Sequence, residues 1–301
     1  MMLETTLSQP TTWTAAPTVH AESETGHLRR VIIGYPDNFD LEHAEIINET
    51  QKQYYFGENR PRLDLLKAQM DGYVACLESC GVEVWRPHPL PGVPDQLMPR
   101  DIGVVIGDTF LLTRMANASR QPEWRGIAPY LEELNPRLLP VPEDFVVEGG
   151  DIVVDKGCIF VGIGQRTTAE GARWLAQQFR DYEVVPVFLK SIAEGENVLH
   201  LDCAFVPVGE QHALIYPEGM HHIPPALRQR YELIPITRAE QDQLGTNVLS
   251  ISPTEVIGRA DLPRISAALR GAGLTVYDLP YTEAPKTGGS FRCCSLPLWR
   301  D

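Results

Sequence analysis

Residues 101–113 read DIGVVIGDTFLLT, and the architecture of the chain can be inferred outward from this stretch. An acidic residue precedes a short apolar run, Gly107 and Asp108 follow, and a second apolar run comes next. Two apolar runs around a Gly-containing turn are typical of a β-hairpin, because glycine accepts the backbone conformation that tight turns require. The stretch therefore predicts two paired strands with a polar residue at the start of the first.

The same plan recurs along the chain. It is found in DIVVDKGCIFVG at 151–162, DCAFVPVGEQHALIYP at 202–217 and NVLSISPTEVIG at 247–258. The four segments start about 50 residues apart, a period that an internal structural repeat would produce. Repeats of this length either close around an axis or stack in a line, and the periodicity alone leaves both arrangements open.

Helical patterns fall between the hairpins. Residues 62–80 carry apolar side chains at helical spacing, and Thr167-Thr-Ala-Glu170 matches a capping box. Ile265 and Leu269 lie one helical turn apart, before glycines that can end the helix. Strands that alternate with helices in this way predict an α/β domain built from repeated strand–strand–helix units.

The composition excludes some functional classes. The chain of 301 residues is 43% hydrophobic and 22% charged, so it can bury a substantial core. Its net charge of −14 argues against a nucleic-acid partner, which would need a basic face, and suits a small cationic substrate. The first residues lack the pattern of a signal peptide, and no apolar stretch is long enough to span a membrane. We therefore expect a cytoplasmic protein without a membrane partner.

The N-terminal segment differs from the rest of the chain. Residues 1–26 are rich in Thr and Ser and show no clear periodicity. We interpret them as a flexible arm, or a cover, that precedes a catalytic domain at 27–301.

The cysteines indicate neither a zinc site nor a disulfide scaffold. They occur at positions 76, 80, 158, 203, 293 and 294, without paired CxxC spacing. Cys158 and Cys203 lie in apolar, strand-like runs and are predicted to be buried. Cys293 lies in a Gly-Gly loop, so we expect a polar and partly open setting for it, whereas alternation turns Cys294 inward. We expect no metal and no cofactor.

Polar residues stand at the entrance of each repeat. If the repeats close radially, these positions meet at one end of the axis, where they would bring together Arg100-Asp101, Glu148-Gly-Gly-Asp151, His200-Leu-Asp202 and residues 288–295 (GGSFRCCS). His200 and Asp202 are two positions apart, so on a strand they would project from the same face. Carboxylates, a histidine and a thiol together are the groups that nucleophilic catalysis uses.

Five ordered motifs carry a resemblance to a known superfamily. They are MPRD (98–101), EGGD (148–151), HLD (200–202), NVLSISP (247–253) and GGSFRCCSLP (288–297). Together they resemble the guanidino-group modifying (pentein) superfamily, which includes arginine deiminases, dimethylargininases, arginine dihydrolases and amidinotransferases. The resemblance covers nearly everything from about residue 27 onward. It implies a single-domain, five-bladed α/β-propeller of ββαβ repeats with pseudo-fivefold symmetry.

The resemblance also implies catalytic roles. Cys293 is expected to be the nucleophile that forms a covalent thiouronium intermediate with the guanidinium carbon. His200 is expected to protonate the leaving amine and then to activate water. Glu148 is expected to orient the guanidinium and to assist proton transfer.

Four further residues resemble substrate-binding positions. Asp101 and Asp202 are expected to grip the guanidinium nitrogens. Arg166 in GQRT, and Arg120 in ASR with less sequence support, are expected to bind the substrate α-carboxylate. Because guanidinium is a poor electrophile, carboxylates must localise its charge and hold it against the thiolate.

Several activities compete within this resemblance. A cysteine-dependent hydrolase of arginine or a small carboxylated relative, of the deiminase or dihydrolase type, fits best. Dimethylargininases typically carry lysine where Asp202 stands, and amidinotransferases usually carry aspartate where Glu148 stands, yet both activities stay open. A non-catalytic binding protein on the same fold is a further possibility. The expected partner is a small guanidino compound, and the hypothesis for the assembly is a homodimer.

Overall fold

A computed structural model describes residues 16–301 of the chain. Within them lie seven α-helices, whose bounds are Glu49–Tyr54 (α1), Leu63–Ser79 (α2), Ala128–Leu134 (α3), Ala169–Gln178 (α4), Pro225–Arg230 (α5), Arg238–Gln241 (α6) and Pro263–Gly271 (α7). The strands are Leu28–Ile33 (β1), Glu83–Trp85 (β2), Gly103–Ile106 (β3), Thr109–Leu112 (β4), Arg137–Pro140 (β5), Ile152–Asp155 (β6), Cys158–Ile163 (β7), Glu183–Phe188 (β8), Phe205–Val208 (β9), His212–Ile215 (β10), Glu232–Pro235 (β11), Leu249–Ser252 (β12), Glu255–Arg259 (β13), Thr275–Leu279 (β14) and Ser295–Arg300 (β15).

These strands form five three-stranded sheets of one common plan. Four sheets are consecutive in the chain, namely β3-β4-β5, β6-β7-β8, β9-β10-β11 and β12-β13-β14. In each, the first two strands are an antiparallel hairpin and the third strand runs parallel to the second. A parallel return needs a crossover, and a helix lies between the second and third strands of every sheet. The four predicted hairpins and the mixed α/β class are confirmed.

The fifth sheet joins the two ends of the described chain. Its order is β15-β1-β2, and β15 pairs with β1 in antiparallel register from Leu28↔Arg300 to Ile33↔Ser295. The last strand therefore supplies the hairpin partner that β1 lacks. As a result, the loop that precedes β15 and carries Cys293 is fixed at the end of this sheet.

The segment before β1 packs on the domain. Val19 and Ala21 are buried, and Ala21 pairs with Gly107 in an antiparallel bridge. Glu24 is also buried, with 7% of its surface exposed. Val19, Ala21 and Glu24 are thus packed on the domain, whereas the sequence predicts a flexible arm up to residue 26. The first 15 residues of the predicted arm lie outside the described residues.

Local helix signals are largely confirmed. The helix predicted over 62–80 is α2, and Ile265 and Leu269 are buried on α7. The capping box predicted at Thr167 is wrong by one position, because Thr168 is the N-cap of α4 and its hydroxyl accepts the Gly171 N–H. None of the described helices is both long and apolar enough to cross a membrane.

Candidate active site

Three short 3₁₀ turns bring the polar motifs together. They span Pro99–Ile102, Gly149–Asp151 and Leu201–Cys203, and each precedes the first strand of a sheet. A Cβ placed on Gly150 would come within 2.8 Å of the Asp101 carboxylate and of the His200 ring. Only glycine fits there, which explains the need for a residue without a side chain in the EGGD motif.

His200 and Glu148 form a buried ion pair. The His200 Nε2–Glu148 Oε2 distance is 2.6 Å, and the second oxygen of Glu148 accepts the Ala116 N–H at 2.8 Å. Burial lowers the pKa of His200, but the charges of Asp101 and Asp151 and the contact with Glu148 outweigh this effect and raise it to about 10. The imidazole is therefore a protonated acid at neutral pH.

Two of the carboxylates around His200, those of Glu148 and Asp101, are ionised. Burial raises the pKa of Glu148, but the hydrogen bond and charge of His200 outweigh burial and hold this pKa below its ordinary value. The pKa of Asp101 is also held low, because His200 and Arg120 overcome the effect of burial. A proton donor thus lies between two fixed negative charges.

Asp202 does not project beside His200, and the prediction of a shared face is wrong. His200 is extended backbone just before the Leu201–Cys203 turn, so the two residues are not on a strand. The Asp202 carboxylate accepts a hydrogen bond from Arg292 Nη1 at 2.9 Å and from the Cys293 thiol at 3.4 Å. Asp202 therefore lies against the thiol, while His200 lies against Glu148.

Cys293 is held by an amide as well as by Asp202. Asn247 Nδ2 donates to Cys293 Sγ at 3.1 Å, and Asn247 Oδ1 accepts the Cys293 N–H at 3.0 Å. The residue is only 3% exposed, so the expected partly open setting is wrong. Burial, together with the negative charges of Asp202 and Asp101, raises the pKa of the thiol well above its ordinary value. The resting side chain is consequently a neutral thiol.

Arg120 is largely occupied by acidic partners. Its Nη1 donates to Asp101 Oδ2 at 2.7 Å, and its Nε and Nη2 donate to the two oxygens of Glu123. Nη2 also donates to the Met98 carbonyl at 3.2 Å. Among the described residues, one of the five N–H groups of Arg120 has no protein acceptor, so its predicted role as a carboxylate ligand stays a prediction.

Arg166 also lines the site. Its Nη2 donates to the Ile47 carbonyl at 2.6 Å, and the Asn117 amide is its other neighbour. Among residues 16–301, Arg166 forms no ion pair. Its charge is therefore available to an anionic group in the cavity.

A narrow cavity with an internal volume of only about 20 Å³ connects these side chains. Its lining includes Cys293, His200, Asp101, Arg120, Arg166, Asp95, Met98, Leu199 and three residues of the segment before and within α1, namely Ile47, Asn48 and Gln51. Glu148 and Asp202 stand behind this wall, against His200 and Cys293. Larger surface hollows exist elsewhere in the described chain, but neither a cysteine nor a histidine lines them.

The segment 46–51 covers the cavity. Gln51 Nε2 donates to the Thr287 carbonyl at 3.1 Å, and Asn197 donates to Thr50 at 3.2 Å. Together with the contact from Arg166 to Ile47, these bonds tie the cover to both sides of the cavity. These bonds hold the segment over the cavity and limit the access of solvent to it.

Several residues of the site carry no role in the sequence interpretation. Asp151 accepts the Leu201 N–H at 2.9 Å and the Thr167 N–H at 3.1 Å, so it joins the loop of His200 to the loop of Arg166. Burial raises the pKa of Asp151 to about 7. Asn247 starts the fourth repeat, in the same register as Asp202 in the third, and this register could have identified it. No sequence signal indicated Asp95 or the cover.

One donor set has the spacing of a metal site. Asp101, Glu148 and His200 each offer an atom, and these atoms lie within 4.8 Å of one another. A histidine binds a metal ion only as the neutral imidazole, and the high pKa of His200 disfavours that form. The expectation of a metal-free site stays a prediction.

Comparison with known proteins gives a consistent picture. Residues 35–300 match the family model described as N,N dimethylarginine dimethylhydrolase, eukaryotic. The uncharacterized protein YkgA of Bacillus subtilis is 35% identical over 284 residues, which are 92% of this chain and 94% of YkgA. The bifunctional arginine dihydrolase/ornithine cyclodeaminase AgrE of a Nostoc species is 25% identical over 274 residues. That match covers 89% of this chain but only 37% of AgrE.

The fold has close counterparts among solved structures. The amidinotransferase SxtG of Microseira wollei, from the saxitoxin biosynthetic pathway, superimposes with a TM-score of 0.81. The match covers 94% of this chain and 97% of SxtG, at 20% sequence identity. At this identity the likeness is one of fold.

Proposed function

Because this chain belongs to the N,N dimethylarginine dimethylhydrolase family of the guanidino-modifying superfamily, we propose that it hydrolyses the guanidine group of arginine or a small carboxylated arginine relative. The observation that carries the proposal is the single cavity onto which the Cys293 thiol, the His200–Glu148 pair and the Asp101 carboxylate converge. These are a nucleophile, an acid–base group and a cation ligand within reach of one small molecule.

The first step is attack by the thiolate. The substrate guanidinium brings a positive charge beside Cys293, which lowers the pKa of the thiol, and the proton passes to Asp202, which already accepts its hydrogen bond. The sulfur then bonds to the guanidinium carbon. Protonated His200 donates its proton to one nitrogen, which leaves as ammonia, and a thiouronium remains on Cys293.

The second step is hydrolysis. Neutral His200 takes a proton from water, and the resulting hydroxide bonds to the thiouronium carbon. The carbon–sulfur bond breaks, the hydroxyl proton of the intermediate passes to solvent, and the urea product (citrulline, if arginine is the substrate) is released. Cys293 leaves as thiolate and takes back the proton that Asp202 accepted in the first step. A dihydrolase would then repeat the sequence on the ureido carbon, which releases a second ammonia and leaves a carbamate that breaks down to ornithine and carbon dioxide.

The charges of the cavity favour an amino acid. Arg166 offers a cation to a carboxylate, and Asp95 in the same lining offers an anion to an ammonium group. An α-amino acid with a guanidino side chain would meet an opposite charge at each of its ionic ends. Agmatine, which lacks the carboxylate, would leave Arg166 without its partner.

Unsubstituted guanidines fit the acids better than methylated ones. Asp101 is 3% exposed, and a buried carboxylate that faces methyl groups instead of N–H donors forfeits hydrogen bonds at a cost of about 1–3 kcal/mol. This argument favours arginine over dimethylarginine, although the matched family model makes dimethylargininase activity the second candidate.

Amidino transfer and a purely binding role have weaker support than hydrolysis. Amidino transfer would need an amine acceptor under the cover in place of water, and its support is a likeness of fold to amidinotransferases such as SxtG. A purely binding role would leave the buried thiol and the ion pair without a use.

The architecture adds one proposal of its own. We propose that the five sheets close into a five-bladed propeller, in which the β15–β1 pairing completes the ring. The cytoplasmic location and the homodimer stay predictions.

Product analysis tests the proposed hydrolysis. The full chain is incubated with arginine, with and without glycine, and the products are identified by mass spectrometry. Citrulline or ornithine with ammonia, independent of glycine, supports hydrolysis, whereas a new guanidino compound that requires glycine indicates amidino transfer. Dimethylarginine and agmatine are run in parallel, and inertness toward all of these compounds would contradict the proposal.

A further inference from the structure

Four charged or polar groups form a buried chain that leads away from the cavity. Glu24 Oε1 accepts from Arg292 Nη2 at 2.8 Å, and Glu24 Oε2 accepts from Arg292 Nε at 3.2 Å. Arg292 Nη1 donates to Asp202 Oδ2 at 2.9 Å, and the same oxygen accepts from the Cys293 thiol at 3.4 Å. A residue of the N-terminal segment is thus linked to the thiol through one guanidinium and one carboxylate.

The guanidinium of Arg292 is shared between two acids. Its relative exposure is 0%, and its Nη2 also donates to the Ile152 carbonyl at 2.8 Å. A buried cation with a single anionic partner would neutralise that partner. Glu24 accepts hydrogen bonds from two N–H groups of Arg292. Its negative charge therefore compensates the positive charge of the guanidinium, and Asp202 does not have to.

Glu24 is needed as an anion because other cations surround it. Arg100 lies 3.9 Å from Glu24, and Arg300, which donates to the Gly26 carbonyl at 2.7 Å, is also buried. Burial raises the pKa of Glu24, but Arg292, Arg100 and Arg300 outweigh it and lower the value to about 2. Asp155 faces Glu24 from the other side and accepts its backbone N–H at 3.4 Å.

We propose that Glu24 is a positioning residue of the active site: it balances the charge of Arg292, so that Asp202 keeps a negative charge for the thiol and for the substrate cation. Glu24 lies ahead of the residues 35–300 that match the family, so the match assigns it no role. The inference rests on the proposed roles of Cys293 and Asp202.

The exchange Glu24→Gln isolates the charge, because the amide is nearly isosteric with the carboxylate. Without the anion, the potential at Asp202 and Cys293 becomes more positive. The thiol pKa should then fall by about one unit, and KM for arginine should rise about tenfold with a smaller change in kcat, the size expected for one charge acting through a partly polar interior.

The thiol is measured without relying on turnover. The rate of alkylation of Cys293 by iodoacetamide is followed from pH 5 to pH 11 by mass spectrometry of the Cys293 peptide, in the full chain. Asp202, Asp101 and, beyond Asp202, Arg292 are charged groups near the thiol, and Cys203 and Cys294 are its titratable neighbours. His200, Arg120 and Arg166 line the same cavity. Since this readout needs no substrate, it separates failure of the inference from failure of the proposed function.

Two matched variants complete the experiment. Ser23→Ala removes the hydroxyl that accepts the Gly26 N–H and so loosens the same segment without a charge change, and it should leave the thiol pKa unchanged. Arg292→Met removes the cation and should raise the thiol pKa, opposite to Glu24→Gln. If Glu24→Gln does not fold, the direction of the change in the Cys293 thiol pKa in Arg292→Met tests the inference alone. An unchanged thiol pKa in Glu24→Gln or Arg292→Met, or equal shifts in Ser23→Ala and Glu24→Gln, would overturn the inference.

Discussion

Arg292 and Cys293 are adjacent in the chain, and their side chains bond to the same oxygen of Asp202, at 2.9 Å and 3.4 Å. The carboxylate therefore holds a permanent cation on one side and the Cys293 thiol on the other. Burial and this carboxylate keep Cys293 as a thiol while the cavity is empty. In the proposed mechanism, binding of a second cation, the substrate guanidinium, is the event that favours the thiolate.

Removal of the Glu148 charge should move the pH profile. Glu148 contributes to the high pKa of His200, so in Glu148→Gln the imidazole should lose its proton at lower pH. Because protonated His200 serves the leaving amine, the alkaline limb of kcat should shift to lower pH, and kcat at pH 7 should fall about 10²- to 10⁴-fold. The measurement is kcat from pH 5 to pH 10.5. Glu170→Gln on the surface of α4 is the control, and an alkaline limb that stays in place would refute the assigned pairing.

Replacement of Arg166 should weaken the reaction of a substrate that has a carboxylate more than that of one that lacks it. In Arg166→Ala, KM for arginine should rise at least about tenfold, because a charge-assisted bond to the carboxylate is lost. Turnover of agmatine, which has no carboxylate, should change little. Steady-state kinetics with both compounds provide the measurement, and Arg173→Ala, an exposed arginine of α4, is the matched control. Equal effects on the two substrates would indicate that Arg166 does not contact the carboxylate.

The ion pair of Glu24 should make the stability of the fold depend on pH in the acid range. The pKa of Glu24 is lowered to about 2 from an ordinary 4.5, so its ionised form stabilises the fold fully above pH 4.5. This contribution, about 3 kcal/mol, should be lost as the pH falls from 4.5 to 2. Urea unfolding of the wild type and of Glu24→Gln measures it between pH 2 and pH 7. A difference between the two proteins that does not narrow toward pH 2 would contradict the assignment.

Chelation should leave activity unchanged. Asp101, Glu148 and His200 have the spacing of a metal site, but the protonated imidazole opposes a cation at that point. We expect the same kcat before and after dialysis against EDTA. Loss of activity that returns when one divalent ion is added back would show that the three residues hold a metal.

The hairpins and the main helices could be predicted because their signals are local. The turn at Gly107, the apolar face of α2 and the inward side chain of Cys294, which has no exposed surface, follow from neighbouring residues alone. The family and its enzyme class followed from five motifs whose order is specific even though each motif is short.

The surroundings of the catalytic groups could not be predicted in the same way. Cys293 is buried because Asn247 and Asp202 bond to it and the segment 46–51 covers the cavity, and these contacts span long separations in the chain. The partners Glu24 and Arg292 are 268 positions apart. Asp202 does not share a face with His200, because a 3₁₀ turn begins directly after His200. The strand-like sequence pattern gives no sign of this turn.

The central claim is that Cys293 attacks the guanidinium carbon, and the mass of the covalent intermediate tests it most directly. The full chain is mixed with arginine, and the reaction is quenched in acid within one turnover. The protein is then digested, and the mass of the Cys293 peptide is measured by mass spectrometry. We predict an increment of one arginine less one ammonia, absent in Cys293→Ser and present in the control Cys76→Ser. An increment of the amidino group alone would mean that ornithine leaves first, as in amidino transfer. An unmodified Cys293 peptide during active turnover would contradict the account.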